Sequence, residues 1–187
     1  MFGGLISRFY ANEERQYNAL YIETLTDSLT GIRNRAAFRM ELDTFLKENK
    51  TVPCCLAMLD IDHFKPINDT YGHQVGDQYL CALARVLNEL PDSIAFRYGG
   101  DEFSILFPGK NSDEALTLLK AAAADFYDSM LHTTYIQATF SAGIAQFDAE
   151  NETIADFVHR ADKTLYRAKE QRNTICVYDA ELDVVAS

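Results

Sequence analysis

The sequence predicts an α/β domain of the α+β type, with a mainly antiparallel central sheet of about five strands covered by helices. A nearly continuous apolar run over residues 54–62 is typical of a central strand buried on both faces. Short apolar segments at 94–96 and 103–107 flank a Gly-Gly-Asp turn, which is the pattern of a hairpin. Segments with helical spacing of apolar residues separate these strands, so helices are expected on both faces of the sheet.

The first predicted element is a helix at the amino end. Apolar residues at nearly helical spacing predict it over residues 8–26. A packed helix and the end of a coiled-coil stalk between two chains both fit this segment, since it is shorter than three heptads. Residues 27–31 break the pattern as a turn. Asn34 can then cap a helix that ends near Lys47.

The later elements alternate between helix and strand. Residues 63–90 are helical in character, with interruptions near Gly72 and Gly76. The remaining predicted elements are helices over 112–129 and 154–170 and strands over 136–147 and 174–178. The predicted organisation is therefore an amino-terminal helix or connector (1–26), one domain (27–179) and a frayed tail (180–187).

Length and composition fit one globular domain with a modest extension, because the chain has 187 residues and 48% are hydrophobic. The net charge of −11 argues against general binding to nucleic acid or to an anionic membrane surface. No apolar run is long enough to span a membrane. The four cysteines form no C-x-x-C pair, so we expect no zinc site and reduced core thiols in a cytoplasmic protein.

Two acidic segments stand out as a candidate site. Asp60-Ile61-Asp62 closes the buried strand, and Asp101-Glu102 lies at the hairpin tip. Carboxylates gathered at one edge of a sheet repel each other unless a cation lies between them. Oxygen-only ligands suit Mg²⁺ or Mn²⁺, and two such ions can assist phosphoryl transfer. Gly99 and Gly100 lack side chains, so a large ligand can approach the backbone closely.

These segments resemble the GGDEF family, the diguanylate cyclases. The resemblance covers residues 27–179 and centres on the signature Arg97-Tyr98-Gly99-Gly100-Asp101-Glu102-Phe103. Further matching blocks, which follow the family order, are residues 27–35, 60–69, 72–77, 141–145 and 161–169.

The resemblance implies a palm-like fold shared with adenylyl cyclases and polymerases. It also implies that two molecules of GTP are condensed to cyclic di-GMP with release of two pyrophosphates. Each subunit would hold one GTP and two Mg²⁺ or Mn²⁺ ions. Because each ribose 3′-hydroxyl attacks the α-phosphate held by the other subunit, the active form would be a homodimer, at least transiently.

The family's metal and catalytic roles map onto one group of residues. Asp60 and Asp101 resemble the metal carboxylates, and the Ile61 carbonyl resembles a further metal ligand. Glu102 resembles the acid that supports the second metal, and either Glu102 or Asp101 could help to deprotonate the 3′-hydroxyl. Lys65 resembles a catalytic phosphate contact.

The GTP-binding roles map onto a second group. Asn68 and Asp77 resemble the guanine readers, and Lys169 resembles another phosphate contact. Phe64 and its neighbours would offer backbone N–H groups to the phosphates, while Gly99 and Gly100 would lie against the nucleotide. Asp27 and Asn34 are expected to be structural, and Ser141 and Gly143 to pack the sheet beside the site.

The sequence departs from the family at two places. Many relatives carry an Arg-x-x-Asp product-inhibition site before the signature, and Leu90-Pro91-Asp92-Ser93 lacks both residues. After Lys169 the family usually reads x-x-Gly-Arg-Asn, whereas Glu170-Gln171-Arg172-Asn173 lacks the glycine. Arg172 is therefore an expected phosphate ligand, but the shortened segment leaves open whether it aligns with the arginine of the family.

Three functions are consistent with the sequence. The leading hypothesis is an active diguanylate cyclase, since every mapped metal and guanine position carries a competent residue. The alternative from another class is a catalytically silent GTP-binding domain that regulates a partner. A cyclase with a mixed adenine–guanine product is the third, and Asp77 argues against it. An upstream sensor domain or a partner is the expected source of regulation.

Overall fold

The structure is a computed structural model that describes residues 22–49, 51–134 and 137–180. Most of the helix predicted over residues 8–26, and the tail, lie outside these residues and stay predictions. In chain order the elements are β1 (Arg33–Asn34), α1 (Arg35–Glu48), β2 (Cys54–Ile61), α2 (Phe64–Tyr71), α3 (His73–Asn88), β3 (Ile94–Gly99), β4 (Glu102–Pro108), α4 (Ser112–Thr134), β5 (Phe140–Gln146), α5 (Ile154–Gln171) and β6 (Ile175–Val177).

The described strands form one six-stranded sheet in the order β1-β3-β4-β2-β5-β6. The central pairs β3–β4, β4–β2 and β2–β5 are antiparallel, and the edge pairs β1–β3 and β5–β6 are parallel. The predicted α+β class is thus confirmed. The strand beyond the predicted five is β1, whose two residues are too few to show an alternating pattern. β5 begins at Phe140, four residues later than predicted from the sequence.

Strand β2 is buried along its whole length, as the apolar run predicts. Cys54 and Met58 pack with α1 and α5 on one face, whereas Cys55 and Leu59 pack with α2, α3 and α4 on the other. Full burial of a side chain such as Met58 or Leu59 stabilises the fold by roughly 1.5–3 kcal/mol. Since side chains alternate along a strand, Asp60 lies on the same face as Met58 and points towards the layer that contains α5.

Local signals at the helix ends agree with the sequence. The Asn34 side chain accepts hydrogen bonds from the backbone of Ala36 (2.9 Å) and Ala37 (3.1 Å), which confirms the predicted cap of α1. The long helical region divides at Gly72, whose φ of +85° interrupts the helix between α2 and α3. The interruption predicted near Gly76 is wrong, because Gly76 is buried within the continuous helix α3.

Helix α5 packs directly on β5 at Gly143. A Cβ atom at that position would lie 2.0 Å from the backbone nitrogen of Leu165 and 2.5 Å from the Ala161 carbonyl oxygen. The absence of a side chain therefore sets the distance between helix and sheet. This close packing carries the end of α5, with Lys169, over the end of β2.

The cysteines fit the sequence prediction only in part. All four are free thiols, but only Cys54 and Cys55 are buried, and Cys81 and Cys176 are half-buried. The prediction of four core thiols is wrong for the latter two because both lie on partly exposed elements. Within the described ranges, no helix combines the length and apolarity needed to cross a bilayer.

Candidate active site

The two acidic segments meet at the end of the central strands, as the sequence predicts. Asp60 of β2 stands opposite Glu102 of β4 in the antiparallel register. The next backbone group, Ile61 N–H, donates to the carbonyl oxygen of Asp101 at 3.3 Å. The strand end and the hairpin tip therefore form one continuous acidic edge.

The hairpin tip is held by Arg97, a residue of the signature to which the sequence assigned no role. Its guanidinium donates to the Gly100 carbonyl oxygen at 2.8 and 3.1 Å and to the Asp27 carboxylate at 3.0 Å. Gly100 has a φ of +53°, a conformation that glycine adopts without strain. Sequence spacing could not reveal this contact, because Asp27 is seventy residues away from Arg97.

Asp27 therefore serves the site indirectly. Its carboxylate also accepts from the backbone N–H and the hydroxyl of Thr30, at 2.9 and 2.7 Å. Burial raises the pKa of Asp27, but the hydrogen bonds from Thr30 and Arg97 outweigh it and leave the pKa below its ordinary value. The expected structural role of Asp27 includes holding the hairpin that carries Asp101.

Asp60 is the most perturbed carboxyl of the site. Its burial, followed by the negative charges of Asp101 and Glu102, raises its pKa from 3.8 to about 6, although Lys169 acts in the opposite direction. The Lys169 ammonium lies 2.5 Å from Asp60 Oδ2. The edge thus carries more negative charge than one lysine neutralises, which favours cation binding.

The donor set fits a divalent metal ion that arrives with a phosphate ligand. Among the described residues, no three Asp, Glu, His or Cys side chains already converge as an ion cage. Mg²⁺ is commonly held by one or two carboxylates together with substrate phosphates and water, so such a cage is not required. Asp60, Asp101 and the Ile61 carbonyl are the groups that would hold it.

A cavity of about 250 Å³ opens beside the acidic edge. Its lining includes Asp60, Asp101, Lys65, Lys169 and Arg172. This volume is below the roughly 300–1,000 Å³ typical of complete ligand pockets, so it suits part of a nucleotide rather than all of it. Positive and negative side chains that converge there match a metal-bound phosphate group.

The amino end of α2 also lines this cavity, through Phe64 and Lys65. The residue before it, His63, has a φ of +57° and makes no capping hydrogen bond with its side chain. The first backbone N–H groups of a helix lack partners within the helix, and their dipoles favour anions. Phe64 and Lys65 carry such N–H groups, whereas Pro66 has none.

The expected guanine readers lie outside this cavity lining. Asn68 is on α2, and its Oδ1 is buried against Gly76 of α3 without a hydrogen-bond partner among the described residues. Asp77, the next residue after Gly76, is exposed. The structure therefore gathers the guanine candidates around Gly76, apart from the phosphate candidates.

Three further candidates are also outside the lining. Glu102 is exposed, opposite Asp60 in the strand register, and it raises the pKa of Asp162, where burial is the larger cause. Gly99 and Gly100 form the hairpin turn, where an added Cβ atom would meet nothing within 4 Å. The space beside these glycines is open to a ligand.

Asp62 differs from Asp60 despite their proximity in sequence. Its buried carboxylate accepts hydrogen bonds from Thr139 Oγ1, Ser141 Oγ and the backbone N–H of Asn173, each at 2.8 Å. The sequence grouped Asp62 with the acidic edge, but the structure commits this carboxylate to other partners. Ser141 thus holds Asp62 as well as packing the sheet.

A larger groove of about 900 Å³ separates α1 from α5. It is lined largely by apolar side chains such as Phe38, Met40 and Ile154. It contains none of the lysines or acidic residues of the edge described above. Charge and backbone geometry, rather than size, therefore identify the smaller cavity as the candidate site.

A palm-like sheet with an acidic edge at a Gly-Gly-Asp-Glu hairpin defines a class of nucleotide-binding domains. The family model "Diguanylate cyclase, GGDEF domain" matches residues 24–174. The chain belongs to the GGDEF family, and the resemblance drawn from the sequence is confirmed.

Named relatives support the family assignment. The chain is 40% identical over 154 residues to diguanylate cyclase DgcP of Pseudomonas aeruginosa, covering 79% of this chain and 23% of DgcP. It is 36% identical to diguanylate cyclase VdcA of Vibrio cholerae, covering 79% of this chain and 44% of VdcA. The chain therefore spans less than half the length of these two relatives.

Solved structures show the same fold. The coiled coil and GGDEF domain of DgcB from Caulobacter crescentus superpose with a TM-score of 0.82 at 34% identity, covering 94% of this chain and 98% of that one. The diguanylate cyclase SiaD of Pseudomonas aeruginosa gives a TM-score of 0.75 at 30% identity, covering 92% of this chain and 69% of that one.

Proposed function

We propose that this chain is an active diguanylate cyclase. It condenses two molecules of GTP into cyclic di-GMP, releases two pyrophosphates and requires Mg²⁺ or Mn²⁺. The observation that carries the proposal is the acidic edge formed by Asp60, Asp101 and Glu102, with Lys65 and Lys169 beside it. Relatives named as diguanylate cyclases support the same reaction.

The triphosphate binds in the small cavity. Lys65 and Lys169 contribute positive charge, and the uncapped amino end of α2 contributes the backbone N–H groups of Phe64 and its neighbour. Arg172 lines the same cavity and adds a guanidinium that can bond two phosphate oxygens. These groups orient the α-phosphate and stabilise the pyrophosphate that leaves.

The guanine base binds beside α2 and α3. Asp77 accepts hydrogen bonds from the ring N–H and the exocyclic amine of guanine, a donor pair that adenine lacks. Asn68 supplies a second polar group from α2, at the contact with Gly76. Selection of GTP over ATP therefore depends on Asp77 and Asn68.

The carboxylates of the acidic edge bind the metal ions and accept the proton of the 3′-hydroxyl. Asp60, Asp101 and the Ile61 carbonyl would hold the first ion, and Glu102 would support the second. When bound, the ions neutralise charge on the attacking and leaving oxygens. Asp101 or Glu102 accepts the proton of the 3′-hydroxyl. The raised pKa of Asp60 fits a carboxylate whose ionised form is stabilised by a bound cation.

The reaction requires two subunits that face each other, since one subunit holds one GTP and each 3′-hydroxyl attacks the other α-phosphate. Residues 1–26 act as the connector that brings two chains together or transmits an input. One solved relative contains a coiled coil together with its GGDEF domain, and another is described in complex with its activator SiaC. These relatives support control from outside the catalytic domain.

The product does not inhibit the enzyme at the usual site before the signature. Leu90 and Ser93 stand where the family carries arginine and aspartate, and Ser93 Oγ donates to the Leu90 carbonyl oxygen at 3.0 Å. We expect turnover to be unchanged by micromolar cyclic di-GMP. Noncompetitive inhibition at micromolar product in the purified enzyme would contradict this expectation.

The experiment that tests the function is a product assay with matched variants. The purified chain is incubated with Mg²⁺ and GTP, ATP or both, and the products are identified by mass spectrometry. Cyclic di-GMP should form from GTP alone. Asp60→Ala and Asp101→Ala should each lower the rate about 100-fold or more. Asp125→Ala, which removes an exposed carboxyl on α4, should leave the rate unchanged.

Two outcomes would overturn the proposal. A mixed adenine–guanine product would identify a different cyclase. Absence of any cyclic product, even when two chains are held together by a fused dimerising coiled coil, would favour a silent GTP-binding domain. Survival of activity in Asp60→Ala or Asp101→Ala would refute the metal assignment alone.

A further inference from the structure

Helix α5 ends in a backbone conformation that an arginine rarely adopts. Arg172 forms the C-cap with φ of +56° and ψ of +167°, a region that glycine almost alone occupies. Asn173 follows with φ of +45°, which asparagine tolerates better than most residues. Arg172 thus stands in a glycine conformation at the place where this sequence lacks the family's glycine.

Such a conformation persists only where the surroundings fix it. The fixed point is Asp62, a residue that is 6% exposed and whose carboxylate accepts a hydrogen bond from the backbone N–H of Asn173 at 2.8 Å. Thr139 and Ser141 hold the same carboxylate from the neighbouring chain segment and from β5. Asp62 therefore joins the shortened turn to the end of β2, next to the acidic edge.

The turn brings Arg172 to the cavity. Arg172 lines this cavity together with Asp60, Lys65 and Lys169. Without the bond from Asn173 to Asp62, the turn could relax to an ordinary backbone conformation. The Arg172 guanidinium would then move away from the cavity, because a change in the φ of Arg172 reorients its side chain.

We propose that Asp62 is a positioning residue that holds Arg172 in a glycine-type conformation and so directs its guanidinium to the phosphates of the substrate. This inference rests on the proposed binding of GTP in that cavity. Asp62 also lines the cavity, but both of its carboxylate oxygens already accept hydrogen bonds, from Thr139, Ser141 and Asn173, so its assigned role is to position Arg172. If Asp62 had a purely structural role, it would stabilise the end of the sheet but would not change the affinity for GTP through Arg172.

The test is a double-mutant cycle on Asp62 and Arg172. Affinity is measured calorimetrically with Mg²⁺ and the slowly reacting analogue GTPαS, and stability by thermal unfolding of the same proteins. Arg172→Gly should weaken binding about tenfold through loss of a charge-assisted contact. It should also raise the unfolding midpoint, because glycine relieves the strained backbone.

Asp62→Ala should weaken binding by a similar factor while lowering the midpoint. In the Arg172→Gly background, Asp62→Ala should weaken binding no further. Thr139→Val is the matched control, since it removes another hydrogen bond to the same carboxylate oxygen but leaves the bond from Asn173. Its affinity should equal that of the parent chain.

Asp62→Asn covers the case in which the alanine variant does not fold. Its amide oxygen can still accept from Asn173 if its NH₂ group faces the Ser141 hydroxyl, which can rotate to accept. This variant should retain most of the affinity, and whatever loss it shows should vanish in the Arg172→Gly background.

Three results would overturn the proposal. The first is unchanged affinity in Asp62→Ala. The second is an equal loss with and without Arg172, which would assign Asp62 to the metal site or to the fold. The third is the absence of GTPαS binding. Coupled losses of affinity in a chain that makes no cyclic di-GMP even when it is held as a dimer would support this inference while refuting the proposed function.

Discussion

The acidic edge should lower the stability of the fold that carries it, and Asp60→Asn tests this directly. Asp60 is buried beside Asp101 and Glu102, so its ionised form is disfavoured in the folded protein. Asparagine has nearly the same shape and no charge. We therefore expect the metal-free variant to be more stable than the parent chain at neutral pH, although it should be inactive.

The magnitude follows from the pKa, which rises from 3.8 to about 6 on folding. At 1.36 kcal/mol per pKa unit, ionisation of Asp60 costs about 3 kcal/mol more in the folded than in the unfolded chain. The folded state binds the proton more tightly, so this cost is absent below pH 4, grows as pH rises, and is complete above about pH 6. The gain in Asp60→Asn should follow the same pH dependence.

The assay is thermal unfolding in EDTA at pH 4 and pH 7.5. A gain of about 3 kcal/mol corresponds to a rise of about 6–12 °C in the midpoint for a domain of this size. The gain should disappear at pH 4 and shrink when Mg²⁺ is added to the parent chain with GTPαS. Asp125→Asn, an exposed control, should leave the midpoint unchanged. A lower midpoint for Asp60→Asn at pH 7.5 would refute the reasoning.

Two substitutions test the glycine contacts. Gly76→Ala should weaken binding of GTPαS about tenfold without loss of fold stability, because a Cβ atom would lie 1.9 Å from Asn68 Oδ1 and displace that amide. Calorimetric titration measures the affinity, and an unchanged affinity would contradict this prediction. Gly143→Ala should destabilise the fold by about 3 kcal/mol or more, since its Cβ atom would meet the backbone of α5. Urea unfolding measures that cost, and a loss below 1 kcal/mol would mean that α5 can move away from β5.

Much of the fold could be predicted because its signals are local. The apolar run of β2, the Asn34 cap and the glycine break between α2 and α3 each depend on neighbouring residues in the chain. The pairing of the two acidic segments followed from one further rule, that a strand end and a hairpin tip can share an edge of a sheet.

The contacts that organise the site could not be predicted because they join distant parts of the chain. Arg97 reaches Asp27, and Asp62 reaches Asn173, across separations that no spacing pattern encodes. The strand β1 could not be predicted for a different reason: it pairs with β3, but its two residues are too few to show apolar alternation. Such contacts are visible only once the sheet is assembled.

The stoichiometry of GTP conversion tests most directly the claim that the chain is an active diguanylate cyclase. The purified chain, held as a dimer by the fused coiled coil, is supplied with GTP and Mg²⁺ as the sole nucleotide and metal, and every product is quantified. The account predicts one cyclic di-GMP and two pyrophosphates for each two molecules of GTP consumed. GTP that is bound but unchanged, or converted to GDP and phosphate without a cyclic product, would contradict it.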